Sequence, residues 1–153
     1  MIAHRIKITV FSKEEEDSSK IKAAFLELFP FDLEKEKIDL IERTAMGFNE
    51  KHIKIYEVLL EKNKHIEEFI NRLSNNLSNQ TKELILRQAE SRLDDECKFY
   101  LRFSKDKWID EKEHWLTDQG NCFHIKISIA AFPKKREKAM EIIQKVFKVK
   151  EQK

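Results

Sequence analysis

The stretch Phe123-His124-Ile125-Lys126-Ile127-Ser128-Ile129-Ala130-Ala131 decides the fold class. Phe123, Ile125, Ile127, Ile129 and Ala131 fall on one side, and His124, Lys126 and Ser128 on the other. Period-two alternation rich in β-branched residues marks a strand with one buried and one wet face. The same pattern sets Ile6, Ile8 and Val10 against Arg5, Lys7 and Thr9, within a strand from Met1 to Phe11. It also sets Cys97, Phe99, Leu101 and Phe103 against Lys98, Tyr100 and Arg102. Two further strands are expected, Lys37 to Thr44 and His52 to Leu60, with Gly47 and Asn49 supplying the turn between them. The contiguous Val58, Leu59 and Leu60 predict a bulge there, or burial on both faces.

Helical stripes separate these strands. Ser12 with Glu15 three residues later reads as a capping box. It would open a helix that buries Ile21, Ala24, Phe25 and Leu28 and stops at Pro30. The acids Glu14 to Asp17 then complement the dipole of a first turn. Asn63 opens a second helix with Ile66, Phe69, Ile70, Leu73 and Leu77 on one side, and Thr81 to Leu93 a third. Residues 104–119 suggest a short helix and a loop, with Trp108 and Trp115 as satellite core. Pro133 opens the last helix, whose stripe is Ala139, Ile142, Ile143, Val146 and Phe147. The order is β-α-β-β-α-α-β-(α)-β-α. It predicts an α+β fold: a single domain, residues 1–153, with a mostly antiparallel five-stranded sheet and helices on one face. Residues 149–153 read as a frayed tail.

Composition narrows the function classes. Of 153 residues, 38% are charged, against about 25% in an average domain. Hydrophobic residues make up 41%, including eleven Phe, which excludes a disordered chain. Two glycines and two prolines exclude collagen and most glycine-rich phosphate loops. The longest apolar runs, Ala23 to Leu26 and Ile129 to Phe132, are too short for a bilayer span or a signal-peptide core. A cytoplasmic protein with no membrane partner is expected, with Cys97 and Cys122 as free thiols. Net charge is +2, but residues 1–97 carry −4 and residues 98–153 carry +6. A basic C-terminal third suits an acidic partner.

No enzyme is expected, and no catalytic residue is nominated. Serine-hydrolase, Walker and zinc-protease motifs are missing from the sequence, and there is no paired-cysteine zinc spacing. The nearest metal candidate, Cys122 and His124 with His114, lacks a fourth partner, so no metal or other cofactor is expected.

The wet sheet face is more informative. Its positions on the three cleanest strands include Arg5, Lys7, Lys98, Arg102 and Lys126 and no acid. Like charges set side by side on a sheet cost stability, so a face that keeps them is a candidate polyanion surface. Tyr100 lies between Lys98 and Arg102 and offers a ring to a base. Lys134, Lys135 and Arg136 would sit in the first turn of the last helix, where free N–H groups also attract a phosphate. Lys105 and Lys107 would extend the patch. Against it stand Asp39, Glu42 and Glu57 on the second and third strands.

The segment Phe99-Tyr100-Leu101-Arg102-Phe103-Ser104-Lys105, the later Asp118, the strand Phe123 to Ala131 and the helix after Pro133 resemble an archaeal family of predicted RNA-binding proteins. The Gly47-x-Asn49 turn and the opening strand with its Glu-rich helix start share in the resemblance, which covers residues 3–148. The family pattern of leucine, arginine, two residues and lysine falls on Leu101, Arg102 and Lys105; Asp106, Lys107 and Trp108 then depart from it. The resemblance implies a fold similar to the ribosomal protein that binds 5S ribosomal RNA, and an association with the exosome. The expected function is a non-catalytic RNA-binding module, with protein partners in an RNA-processing complex. The alternative is a protein-interaction or homodimer-forming module, with Tyr56, Trp108 and Trp115 as anchors.

Overall fold

A computed structural model describes residues 1–151, leaving out the Phe48 side chain. Its elements are β1 (Ala3–Ser12), α1 (Ser18–Leu26), β2 (Leu40–Met46), a 3-10 turn (Phe48–Glu50), β3 (His52–Leu60), α2 (Asn63–Asn76), α3 (Asn79–Arg87), α4 (Ala89–Arg92), β4 (Lys98–Ser104), α5 (Lys105–Glu111), β5 (Cys122–Ile129) and α6 (Arg136–Val146). The fold is α+β, built on one open antiparallel sheet of five strands in the order β2-β3-β1-β5-β4. The expected tail, 149–153, ends in two residues that lie outside the described ones. The chain forms two compact units. One comprises residues 1–6, 61–101 and 126–153, the other residues 7–60 and 102–125.

In the first unit the helices bury the stripes that their spacing predicts: Ile66, Phe69, Ile70 and Leu73 of α2, Ile85 of α3, and Ala139 and Ile143 of α6. Phe99 of β4 packs against Phe147, ring centroids 6.0 Å apart. Ser78 caps α3, its hydroxyl accepting the Thr81 N–H. The single helix expected over Thr81 to Leu93 is instead two, broken at Gln88, whose ψ of 6° leaves the helical region. The Gln88 side-chain carbonyl accepts from Arg92, which holds α4 to the break. Pro133 does not open the last helix either. α6 begins at Arg136, with Lys135 extended at its cap.

In the second unit, Asp17 rather than Ser12 caps α1. Its carboxylate accepts the N–H groups of Ser19 and Lys20 at 3.1 and 3.3 Å. Ser12 stays in β1 as a buried residue, and Glu14 to Glu16 precede the helix instead of filling its first turn. α1 ends at Leu26, short of Pro30. Ile21, Ala24, Phe25 and Leu28 are buried as expected, and Phe25 stacks on Phe123 at 6.3 Å. The β2–β3 hairpin pairs residue for residue from Leu40 with Val58 to Met46 with His52. A Cβ on Gly47 would lie 2.4 Å from Ile53 Cδ1, so a larger residue here would have to displace the Ile53 side chain. Asn49 takes the left-handed conformation, with φ 63°. In β3, Tyr56 and Val58 are buried and Glu57 between them is half-buried, so alternation holds.

Candidate nucleic-acid interface

The cations nominated from sequence fall into different settings. In the first unit, Arg5 on β1 is exposed and pairs with Glu61 at 3.7 Å. Lys98 on β4 pairs with Glu96 at 3.3 Å, and Lys126 on β5 is half-buried on the wet side of its strand. Tyr100 is half-buried, and its hydroxyl donates to Asp94 Oδ2 at 3.0 Å. Asp94 also accepts the N–H groups of Glu96 and Lys98, each at 2.9 Å. Partial desolvation pushes its carboxyl up, but these three donors outweigh that and hold it below the ordinary value. Desolvation and the Asp94 carboxylate together raise the Tyr100 phenol. The ring is therefore fastened to the turn that leads into β4.

The basic run before α6 divides. Lys134 and Lys135 are exposed and precede the helix. Arg136 turns inward, its guanidinium donating to the carbonyls of Leu93 and Glu90. Its fork closes the end of α4, where helix carbonyls lack backbone donors. The expected grip of three cations on one helix end is not formed.

In the second unit, Lys7 on β1 and Arg43 on β2 share one carboxylate, Glu57 on β3, at 3.4 and 2.9 Å. Arg102 on β4 is exposed and donates to the Asp118 carbonyl at 3.3 Å. Lys105 is not on the wet face. It is 2% exposed, and its ammonium donates to the Phe11 carbonyl at 2.7 Å and to Glu16 Oε1 at 3.0 Å. The start of α5 turns its side chain inward, where these two acceptors replace water. Partial burial raises the Glu16 carboxyl, but the Lys13 N–H and the Lys105 ammonium more than reverse that, and it lies below its ordinary value.

Of the two tryptophans expected in satellite core, only Trp108 is buried. Its indole N–H donates to the Ala24 carbonyl at 2.7 Å. Tyr56 is buried with its hydroxyl on the Ser18 carbonyl. Neither can anchor a partner. Trp115, expected in satellite core, is 55% exposed, and the Lys107 ammonium stands 5.1 Å from its ring centroid. Sequence reasoning also missed Arg43. β2 is exposed along nearly its whole length, so no alternation marks which side its residues take.

Burial raises the Cys122 thiol, with Arg102 and Lys105 pulling the other way, so it is a poor nucleophile. His114 packs edge-on against Phe103 at 5.3 Å. Among the described residues, no group of three or more His, Cys, Asp or Glu could hold a metal ion, and no helix is long and apolar enough to cross a membrane.

The chain is 25% identical over 143 residues to the RNA-binding protein PAB1135 of Pyrococcus abyssi, covering 93% of this chain and 92% of that one. Its fold is similar to the solved structure of protein AF2318 from Archaeglobus fulgidus, with TM-score 0.82, 27% identity and coverage of 94% and 99%. Mth689 of Methanothermobacter thermautotrophicus shares the fold at TM-score 0.78 and 23% identity, with coverage of 97% and 100%. The profile of the RNA binding family matches residues 5–130, most of the chain, and the chain belongs to that family.

Proposed function

We propose that this protein binds RNA without catalysing a reaction on it. Family membership and the name of the Pyrococcus relative support the RNA-binding role. The carrying observation is the alternation of β1, β4 and β5. It turns Arg5, Lys98 and Lys126 to the wet side in one unit, and Lys7 and Arg102 in the other. Ammonium and guanidinium groups on such surfaces neutralise phosphates, release counterions and make affinity fall with salt. The exposed Lys134 and Lys135 add to the first unit's positive charge; Lys105 and Arg136 have structural tasks.

The test is a titration with short single-stranded RNA, duplex RNA and single-stranded DNA at two salt concentrations. Salt-dependent RNA binding is expected. The double variant R102E/K126E should lose most of it while melting like the wild type, because both side chains lie on the wet side of their strands. No binding to any oligomer at low salt, or unchanged binding by the double variant, refutes the assignment. The family resemblance further supports a cytoplasmic role beside protein partners in an exosome-type RNA-processing complex; co-purification of such subunits with the tagged protein tests that.

A second reading, association through an exposed sheet edge, is favoured by β2. It is the last strand of its side of the sheet, and Ile41 and Met46 on it are 39% and 64% exposed. A dimer by light scattering that survives high salt would support that reading.

A further inference from the structure

Trp115 has no task in the core, and its backbone holds it in a defined place. Leu116 pairs antiparallel with Phe103 at the end of β4. The Ser104 N–H donates to the Trp115 carbonyl at 2.7 Å, and the Thr117 N–H donates to the Arg102 carbonyl at 2.9 Å. Residues opposite one another in an antiparallel pair project to the same side. Trp115 therefore shares a side with Ser104, and Thr117 with Arg102. That side is opposite Phe103, which is buried, and is the wet one. Trp115 and Arg102 are diagonal neighbours on it, within reach of long side chains. The Lys107 ammonium lies over the indole, which leaves the side chain 55% exposed.

An exposed indole held by strand pairing, with an arginine and a lysine beside it, matches the needs of one nucleotide with an unpaired base. The ring stacks the base, and the cations take the flanking phosphates. A duplex would hide the base face that stacking requires. We propose that Trp115 is the base-stacking platform of this protein and that, within the RNA-binding reading on which this rests, it selects single-stranded segments. Tyr100, the ring nominated from sequence, is half-buried with its hydroxyl on Asp94, whereas Trp115 is the more exposed of the two.

The experiment compares wild type, W115A and W115F on two probes of equal phosphate number, a uridine decamer and an abasic decamer. W115A is expected to weaken uridine-decamer binding roughly five- to hundred-fold, the range for losing one stacked base. W115F should recover most of it. The salt slope of W115A should match wild type, and the abasic decamer should bind all three proteins alike. Quenching of tryptophan emission by the uridine decamer should be much weaker in W115F, because the remaining Trp108 is buried. Equal binding of W115A and wild type to the uridine decamer would overturn the platform and leave the RNA reading standing. So would an equal loss by W115A on the abasic decamer. Failure of the wild type to bind either probe at low salt would overturn both.

Discussion

Replacing Lys105 by methionine separates a structural role from a binding one. The ammonium is nearly dry, its side chain 3% exposed, and it joins the end of β1 to the segment before α1 through the Phe11 carbonyl and the Glu16 carboxylate. Methionine keeps the volume and removes the charge. The Phe11 carbonyl then loses its donor and Glu16 its counter-ion. Breaking a fully buried pair costs about 3–5 kcal/mol. Glu16 is 25% exposed and regains water, so the cost falls below that of a fully buried pair, to roughly 2–3 kcal/mol. For a chain near 150 residues each kcal/mol moves Tm by about 2–4 °C, which gives a fall of about 4–12 °C. Urea denaturation measures the free energy directly. RNA affinity measured well below the transition should change little. The E16Q background supplies the control, since much of the K105M cost should already be spent there. A K105M protein that melts like wild type but loses RNA binding would refute the structural assignment and return Lys105 to the interface.

Three further outcomes follow from the same geometry. Asp17→Ala removes the acceptor of the Ser19 and Lys20 N–H groups and should cost about 1 kcal/mol in urea unfolding, whereas Ser12→Ala should leave the helix cap intact. The Asp94 and Glu16 carboxyls lie lower in the folded than in the unfolded chain, so their stabilisation is present above the unfolded values and fades as pH falls through the folded ones. Acid unfolding of Asp94→Asn should therefore show a flatter fall in stability below about pH 4 than wild type. Glu57→Gln should free Lys7 and Arg43 from their shared carboxylate, tightening RNA binding and steepening its salt slope, at a stability cost of ~1 kcal/mol or less. Unchanged or weaker binding by that variant in a filter or anisotropy assay would count against the Lys7 site.

The strands were legible because β1, β4 and β5 each have one buried and one wet face, which writes period two into the chain. β2 was misplaced by about three residues because it lies almost entirely in water, and an exposed strand carries no alternation. Helix starts were misread for a different reason. Ser12 and Pro133 have the local chemistry of helix openers, but the strand claims Ser12, and a turn intervenes between Pro133 and Arg136. The interface was legible in outline and not in detail. Alternation gives the side of the sheet on which Arg5 or Lys126 lies. It says nothing of Lys105 or Arg136, which leave their helix ends inward, where backbone carbonyls await a charged donor. Trp115 reads from sequence as either satellite core or an anchor, because its placement comes from a single bridge between Phe103 and Leu116, which leaves no periodic trace.

The carboxylates beside the nominated cations bear on how such a surface can work. Arg5 and Lys98 each face an acid, and Lys7 shares one with Arg43. Exposed pairs of this kind contribute about 0–1 kcal/mol to stability, so exchanging a carboxylate for a phosphate costs little. The exchange also lowers the gain per contact, because a cation already paired has fewer counterions to release. In the second unit, Lys7 and Arg43 share the one carboxylate of Glu57, and Arg102 donates to a backbone carbonyl, so positive charge remains after pairing. A face neutralised in part holds its like charges at modest cost on neighbouring strands and keeps affinity in a reversible range. Charge alone then gives weak, sequence-blind attraction, which leaves discrimination between paired and unpaired RNA to an uncharged contact. Trp115 is an exposed ring in that unit, placed by strand pairing beside a cation of the same face. Salt should therefore weaken binding to single strands and duplexes alike, while loss of the ring should weaken binding to single strands alone.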